Sequence, residues 1–479
     1  VLAVIESPTP PAPSVSPAAV APPAAPRAIP YDPASETIKT LNLAVTAFTL
    51  LAITGAGGLA FAGAGGIIGV GAHPSKARGP GSGKVASASV KYMKTGAEAV
   101  ALGDRSWTWR LPGTERFDAL SFALPQWLGP RSPLLARLTT DGSYLRAALG
   151  ALYLLFPIAG IGLGFLAAGD AASHVVAVPS LNLVLLLLVL GVVDAFAGFL
   201  GVVTYGAVLA LGGHVTSAPD MRLLMGLGGS WYVTPLLAAA VRPLRRVPAR
   251  SREHLFDHSA DFVIASMIGA WAVQKIIQGL PGLAGVRVGL SAEANLCAVV
   301  VLLALVGRLA AETLAVNLYP RRLAAVQPQM VLNAPRRQRL LALAVRAAVF
   351  TFVAVAFVGP RWQLWVGLAL FAVPQALSMF EGRFPNSARL YHYLPRGILK
   401  IVVMLFVARW WGGLALHIST GPHELLADAF VICAIPGLVL SLAGLIGRDG
   451  PDTRLTWWHR AAGTAVLLVG VAFVLGLLG

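Results

Sequence analysis

Asp194 stands near the middle of an otherwise uncharged apolar run from Leu181 to Gly212. In a lipid interior a carboxylate costs at least about 2.5–3.5 kcal/mol on insertion scales, so its presence needs a reason. It either couples an ion or proton, or holds a substrate, or pairs with a basic residue on a neighbouring helix. Lys275 and Lys400 are the candidate partners and further candidate ligands. Both lie close enough to helix ends to reach the interface instead.

A second constellation is His254-Leu-Phe-Asp257-His258-Ser-Ala-Asp261. The two histidines, like the two aspartates, are four residues apart, so a helix would present all four as one polar face. That spacing suits a helical metal site, but no His-Glu-x-x-His motif is present, and the adjoining Arg250 and Arg252 favour a solvated helix start at the interface. Asp428 follows His423 and Glu424 closely, without a third ligand type to make a metal site. Arg308 and Glu312 have the i, i+4 spacing of a locally neutralised pair. Arg346 lies within a turn or two of a helix end, and Arg409 precedes Trp410 and Trp411 as an interfacial anchor. Tyr391, His392, Tyr393 and Arg396 form the remaining cluster with chemical potential. No phosphate loop and no Gly-x-Ser-x-Gly elbow occurs. The expectation is therefore no metal and no cofactor, with enzyme activity left open as the lesser alternative.

The elements that must position these residues are set by composition. Of 479 residues, 56% are hydrophobic and 12% charged, and the mean hydropathy is +0.73. An ordinary soluble domain carries about 25% charged residues, so lipid is the solvent for most of this chain. The net charge of +16 belongs, on this reading, to cytoplasmic loops and not to a nucleic-acid-binding face. Cys297 and Cys433 both sit inside apolar runs and give no disulfide framework. Arginine-rich, Ala/Gly/Val/Leu-rich usage fits a bacterial plasma (inner) membrane by association.

Four regions follow along the chain. Residues 1–40 form a Pro/Ala-rich tail too poor in bulky apolar side chains to order itself, and they lack a signal-peptide pattern. Residues 41–72 make a first apolar segment crowded with glycine, in which Gly58, Gly65, Gly66 and Gly69 suit a close helix–helix contact. Residues 73–146 are basic and aromatic, with Trp107, Trp109, Phe117, Leu120, Leu124 and Trp127 suggesting an amphipathic interfacial or cytoplasmic segment. Residues 147–479 are a succession of apolar runs. The predicted fold is all-α, a polytopic bundle of about 10–11 spans.

Loop charge orients the bundle. Arginine-rich loops at 242–252, 321–339, 383–396 and 448–460 alternate with loops poor in Lys and Arg at 169–180, 280–291, 359–362 and 418–424. The positive-inside rule puts the first set in the cytoplasm. One parity conflict remains, because two apolar runs separate 169–180 from 242–252 where an odd number of crossings is required. Either the run from Leu181 is a hairpin of two short helices broken near Gly198, or Met221–Val241, with its Gly226, Gly228, Gly229 and Pro235, is re-entrant; the glycines and proline favour the second.

The leading functional expectation is a transporter or conduit, coupled through Asp194. A non-catalytic subunit of a larger envelope or secretion assembly comes next, docking protein partners through 41–72 and 73–146. A membrane enzyme acting on lipid-linked substrates comes third. The bilayer is the expected partner and nucleic acid is not. A water-accessible cavity at Asp194 would favour transport, whereas a sealed Asp194 would favour the assembly subunit.

Overall fold

The computed structural model describes residues 133–174, 176–241, 252–319, 336–380, 421–432 and 434–446, with a few positions outside those runs. Among the described residues the chain is all-helical; the single strand-like feature is an isolated antiparallel bridge between Pro30 and Val286. The segment 41–72, nearly all of 73–132, Lys400, Arg409, Cys433 and the Tyr391–Arg396 cluster lie outside the described residues.

Two short helices, α1 (Pro133–Asp141) and α2 (Ser143–Leu149), lead through a 3-10 turn, Gly150–Leu154, into α3 (Leu155–Ala171). The apolar run that follows is two helices. Helix α4 (Leu181–Val193) stops at Asp194, whose extended backbone (φ −142°, ψ 109°) turns the chain into α5 (Ala195–Leu211). Asp is among the preferred residues at a helix N-cap, because its short carboxylate reaches the first free N–H groups, and Asp194 accepts from Phe196 and Ala197 N–H in this way. Helix α6 (Ala218–Val241) follows, then α7 (Arg252–Ala284), α8 (Ala294–Leu318), α9 (Arg336–Val358), α10 (Trp362–Ser378), α11 (Pro422–Ile432) and α12 (Ala434–Ile446).

The helices α4 and α5 fold back on one another. A Cβ on Gly198 would meet the Gly191 Cα at 2.7 Å, and one on Gly201 would meet the Leu187 side chain at 3.0 Å, so residues at similar separations on either side of Asp194 face each other. This corrects the expectation about the parity conflict. The break falls at Asp194 and not near Gly198, and α6 runs unbroken through its glycines and Pro235. The proline is tolerated because its ring displaces one hydrogen bond of a helix that neighbours support on several sides.

Small residues set the packing of the hairpin. On α3, Gly160 and Gly164 lie one turn apart against the backbone of Ala197 and Gly201 on α5, so these two helices run parallel with their main chains in contact. On the other side, Gly191 and Gly198 both abut the Trp231 carbonyl of α6. Trp231 is fully buried, with its ring edge-on to Tyr205 at 5.2 Å between centroids. The main core gathers Leu187, Leu188, Leu227, Ile277, Val301 and Leu305 from α4, α6, α7 and α8.

Among the described residues, four helical stretches are long and apolar enough to cross a membrane: Ser143–Ala171, Gly289–Ala315, Arg339–Val358 and Glu424–Ile446. Their outward faces are apolar. Ile158, Phe165 and Leu166 on α3, Leu303 on α8 and Leu341 on α9 are all exposed, an arrangement that water would penalise and lipid would not.

Candidate functional site

The break at Asp194 creates a local problem. Ending α4 and starting α5 leaves carbonyls and N–H groups without helical partners, and inside an apolar bundle each would cost free energy unless paired. Several are met by side chains, three of them from other elements. On the carbonyl side, Val192 accepts from Arg308 Nη1 at 2.7 Å and Val193 accepts from the Tyr144 hydroxyl at 2.6 Å. On the N–H side, Ala195 donates to Asp141 Oδ2 at 3.2 Å, while Phe196 and Ala197 donate to the Asp194 carboxylate, both at 3.3 Å.

The side chains that do this are themselves paired. Arg308 forms two parallel bonds to Asp141, Nη1–Oδ2 at 2.8 Å and Nη2–Oδ1 at 2.7 Å, and its Nε donates to Glu312 at 2.9 Å. The Arg308 and Asp141 side chains are 3% and 4% exposed, so the pair is shielded from water and salt. Arg146 Nη2 donates to the Tyr153 hydroxyl at 2.9 Å, and that hydroxyl donates to Asp194 Oδ2 at 2.9 Å. Arg146 and Asp194 are fully buried. Gly142 closes the approach, since a Cβ there would meet Asp194 Oδ1 at 2.7 Å and the Tyr153 ring at 2.9 Å.

The sequence singled out Asp194 and, separately, the Arg308–Glu312 pair, which forms at 2.9 Å, but not the residues that join them. Lys275 on α7 donates to Gln278 at 3.0 Å and is not the Asp194 partner; the correction has a topological cause, because the groups that reach Asp194 come from α2 and the turn before α3. Asp141, Tyr144, Arg146 and Tyr153 went unnoticed because they fall at the boundary between the basic segment and the first long span, where charge is unremarkable. The signal available was Asp141-Gly142-Ser143-Tyr144-Leu-Arg146, a polar cluster running directly into an apolar helix.

The other candidates are dispersed. Asp428 accepts from Gln363 Nε2 at 3.3 Å and from the Ser419 hydroxyl at 3.1 Å, far in sequence from the hairpin. Arg346 is partly buried and donates to Gln375 at 3.0 Å. His254, Asp257, His258 and Asp261 belong to the first turns of α7, and their side chains lie outside the described residues. Among the described residues no group of three His, Cys, Asp or Glu side chains could hold a metal ion.

Chemically, the Asp194 cluster can orient dipoles and neutralise charge. Its carboxylates are occupied by internal donors, and the Asp194 side chain is fully buried. Comparison of the chain with protein-family models, with curated proteins and with solved structures finds no match.

Proposed function

We propose that this chain is a multi-pass bacterial inner-membrane protein acting as a non-catalytic subunit of a larger envelope or secretion assembly, with α4–α5 as a re-entrant hairpin locked into its core. The hairpin arms have 13 and 17 residues. At 1.5 Å per residue they reach only about 20–25 Å, short of a hydrocarbon core of about 30 Å. A hairpin that dips in and returns leaves 169–180 and 212–217 on one side and lets α6 alone cross to the arginine-rich 242–252. That resolves the parity conflict and agrees with loop charge at every later turn.

The observation that carries the subunit reading is the sealed state of Asp194. The buried charges gathered around it are engaged in supporting a broken helix, which supplies a structural reason for residues that would otherwise signal an ion path. The part of the basic, aromatic 73–146 segment that precedes α1 and the glycine-rich 41–72 segment would then be the docking surfaces for protein partners.

A transporter or conduit is the second reading, favoured by the hairpin itself: discontinuous helices with charged residues at mid-depth are how membrane proteins build substrate and ion sites. One experiment separates the two. The full chain is isolated from its membrane in mild detergent, its copurifying proteins are quantified, and the chain alone is reconstituted in liposomes carrying a pH-sensitive dye under an imposed potential. A stoichiometric protein partner and a proton leak unchanged by Asp194→Asn are expected; proton uptake by the chain alone that Asp194→Asn abolishes would replace the subunit reading with transport.

A further inference from the structure

Beside the hairpin core lies a second feature that the locked network does not use. An open apolar cavity of about 490 Å³ runs along the outer face of α9 and is lined by Ala347, Ala348, Thr351, Phe352 and Val355, with Leu368 from α10. Positions 347, 351 and 355, and 348 and 352, are one turn apart, so the cavity follows the helix axis. Small side chains at 347, 348 and 351 leave the space.

A guanidinium lies against one of the residues that line it. Arg222 of α6 donates from Nε to the Phe352 carbonyl at 2.9 Å, and its Cζ lies 5.0 Å from the centroid of the Phe352 ring. Arginine carries five N–H donors, and the four terminal ones of Arg222 meet no carboxylate among the described residues. Asp220, the acidic group nearest in sequence, is two positions away and therefore turned to the other side of the helix; it accepts from Ser217 and Thr216. Arg222 is in the second turn of α6, near the end of the bundle that holds the 212–217 loop, and Val355 to Ala347 lead away from that end toward its middle.

We propose that this is a binding site for one anionic phospholipid, its phosphodiester gripped by the terminal N–H groups of Arg222 and one acyl chain laid along the 347–355 face. The charge complementarity selects the occupant. Guanidinium and phosphate match in a two-bond geometry, and a cation fixed beside an apolar groove fits a molecule that carries an anion at the head of an apolar chain. The inference rests on the membrane reading above.

The test uses the purified full chain in mild detergent, with native mass spectrometry after delipidation and addition of phosphatidylglycerol, phosphatidylcholine or glycerol 1-phosphate. Phosphatidylglycerol is expected to be retained about threefold better than phosphatidylcholine, whose phosphodiester is the same but whose trimethylammonium group cancels the headgroup charge and repels Arg222. Arg222→Gln should erase that preference, Ala348→Leu should weaken retention of both lipids, and glycerol 1-phosphate should not be retained. Unchanged preference in a folded Arg222→Gln protein overturns the site, as does undiminished retention in Ala348→Leu, which keeps the question answerable if the arginine variant does not fold. Equal capture of glycerol 1-phosphate would overturn the acyl-chain assignment. Failure of the membrane reading would look different: the chain would leave its membranes in alkaline carbonate without detergent.

Discussion

Arg308 and Asp141, 167 residues apart, are joined by two parallel hydrogen bonds of 2.7 and 2.8 Å within a space sealed from solvent. The pair does more than neutralise itself. Asp141 also accepts from the first N–H of α5 and Arg308 donates to a carbonyl near the end of α4, so one ion pair closes both ends of a broken helix.

Breaking this pair from one side should be costly. Arg308→Met leaves Asp141 and Glu312 without their cation and the Val192 carbonyl without this donor, and the expected loss is about 3–5 kcal/mol, read as a fall in the thermal midpoint in detergent. The double variant Asp141→Asn/Arg308→Gln should recover part of that loss. If Arg308→Met melts like the parent, the network does not hold the hairpin.

At Asp194, geometry matters more than charge. Asp194→Asn keeps an oxygen for the Phe196 and Ala197 N–H groups, whereas Asp194→Ala removes the cap and the Tyr153 acceptor together. We expect Asn to be mild and Ala to cost about 2 kcal/mol, the upper end for a lost N-cap. Equal losses in chemical-denaturation midpoints would point to charge instead.

The glycines divide by contact. Gly191→Ala drives a methyl into the Trp231 carbonyl and should force α4 and α6 apart, lowering stability or yield sharply. Gly169→Ala meets nothing within 4 Å and should be neutral or stabilising by up to about 1 kcal/mol, as expected for alanine over glycine in a helix. Thermal melts of the two proteins, purified side by side, check the contrast.

A pH effect is expected at the start of α6. Ser217 and Asp220 exchange hydrogen bonds across the first turn, before the apolar run begins at Leu223. Partial burial pushes the Asp220 carboxyl up, but the bonds from Ser217 and Thr216 outweigh it and hold the group below its ordinary value of 3.8. A depressed folded-state value means the stabilisation is complete above pH 3.8 and is lost as the pH falls below it. Hydrogen exchange of the first turn of α6 should therefore accelerate below that pH in the parent and be pH-insensitive there in Asp220→Asn after correction for intrinsic rates.

Much of this protein was legible without coordinates. Long runs such as Leu155–Ala171 and Ala294–Leu318 announce helices because hydrophobicity over tens of residues is a local property, and the outward apolar faces of α3, α8 and α9 follow from it. Asp194 stood out for the same reason: one charge in a mostly apolar run of 32 residues is visible in one dimension. What only the tertiary structure decided is the use made of that charge. The glycines and Pro235 of α6 carried a breaker signal, yet the helix broke at Asp194, because a break survives only where other elements satisfy the freed backbone groups. Those elements were Asp141, Tyr144 and Arg308, brought together from positions with no sequence relationship to Asp194. Propensity can say where a chain is able to break; the partners for the exposed dipoles are long-range, and they fix where it does.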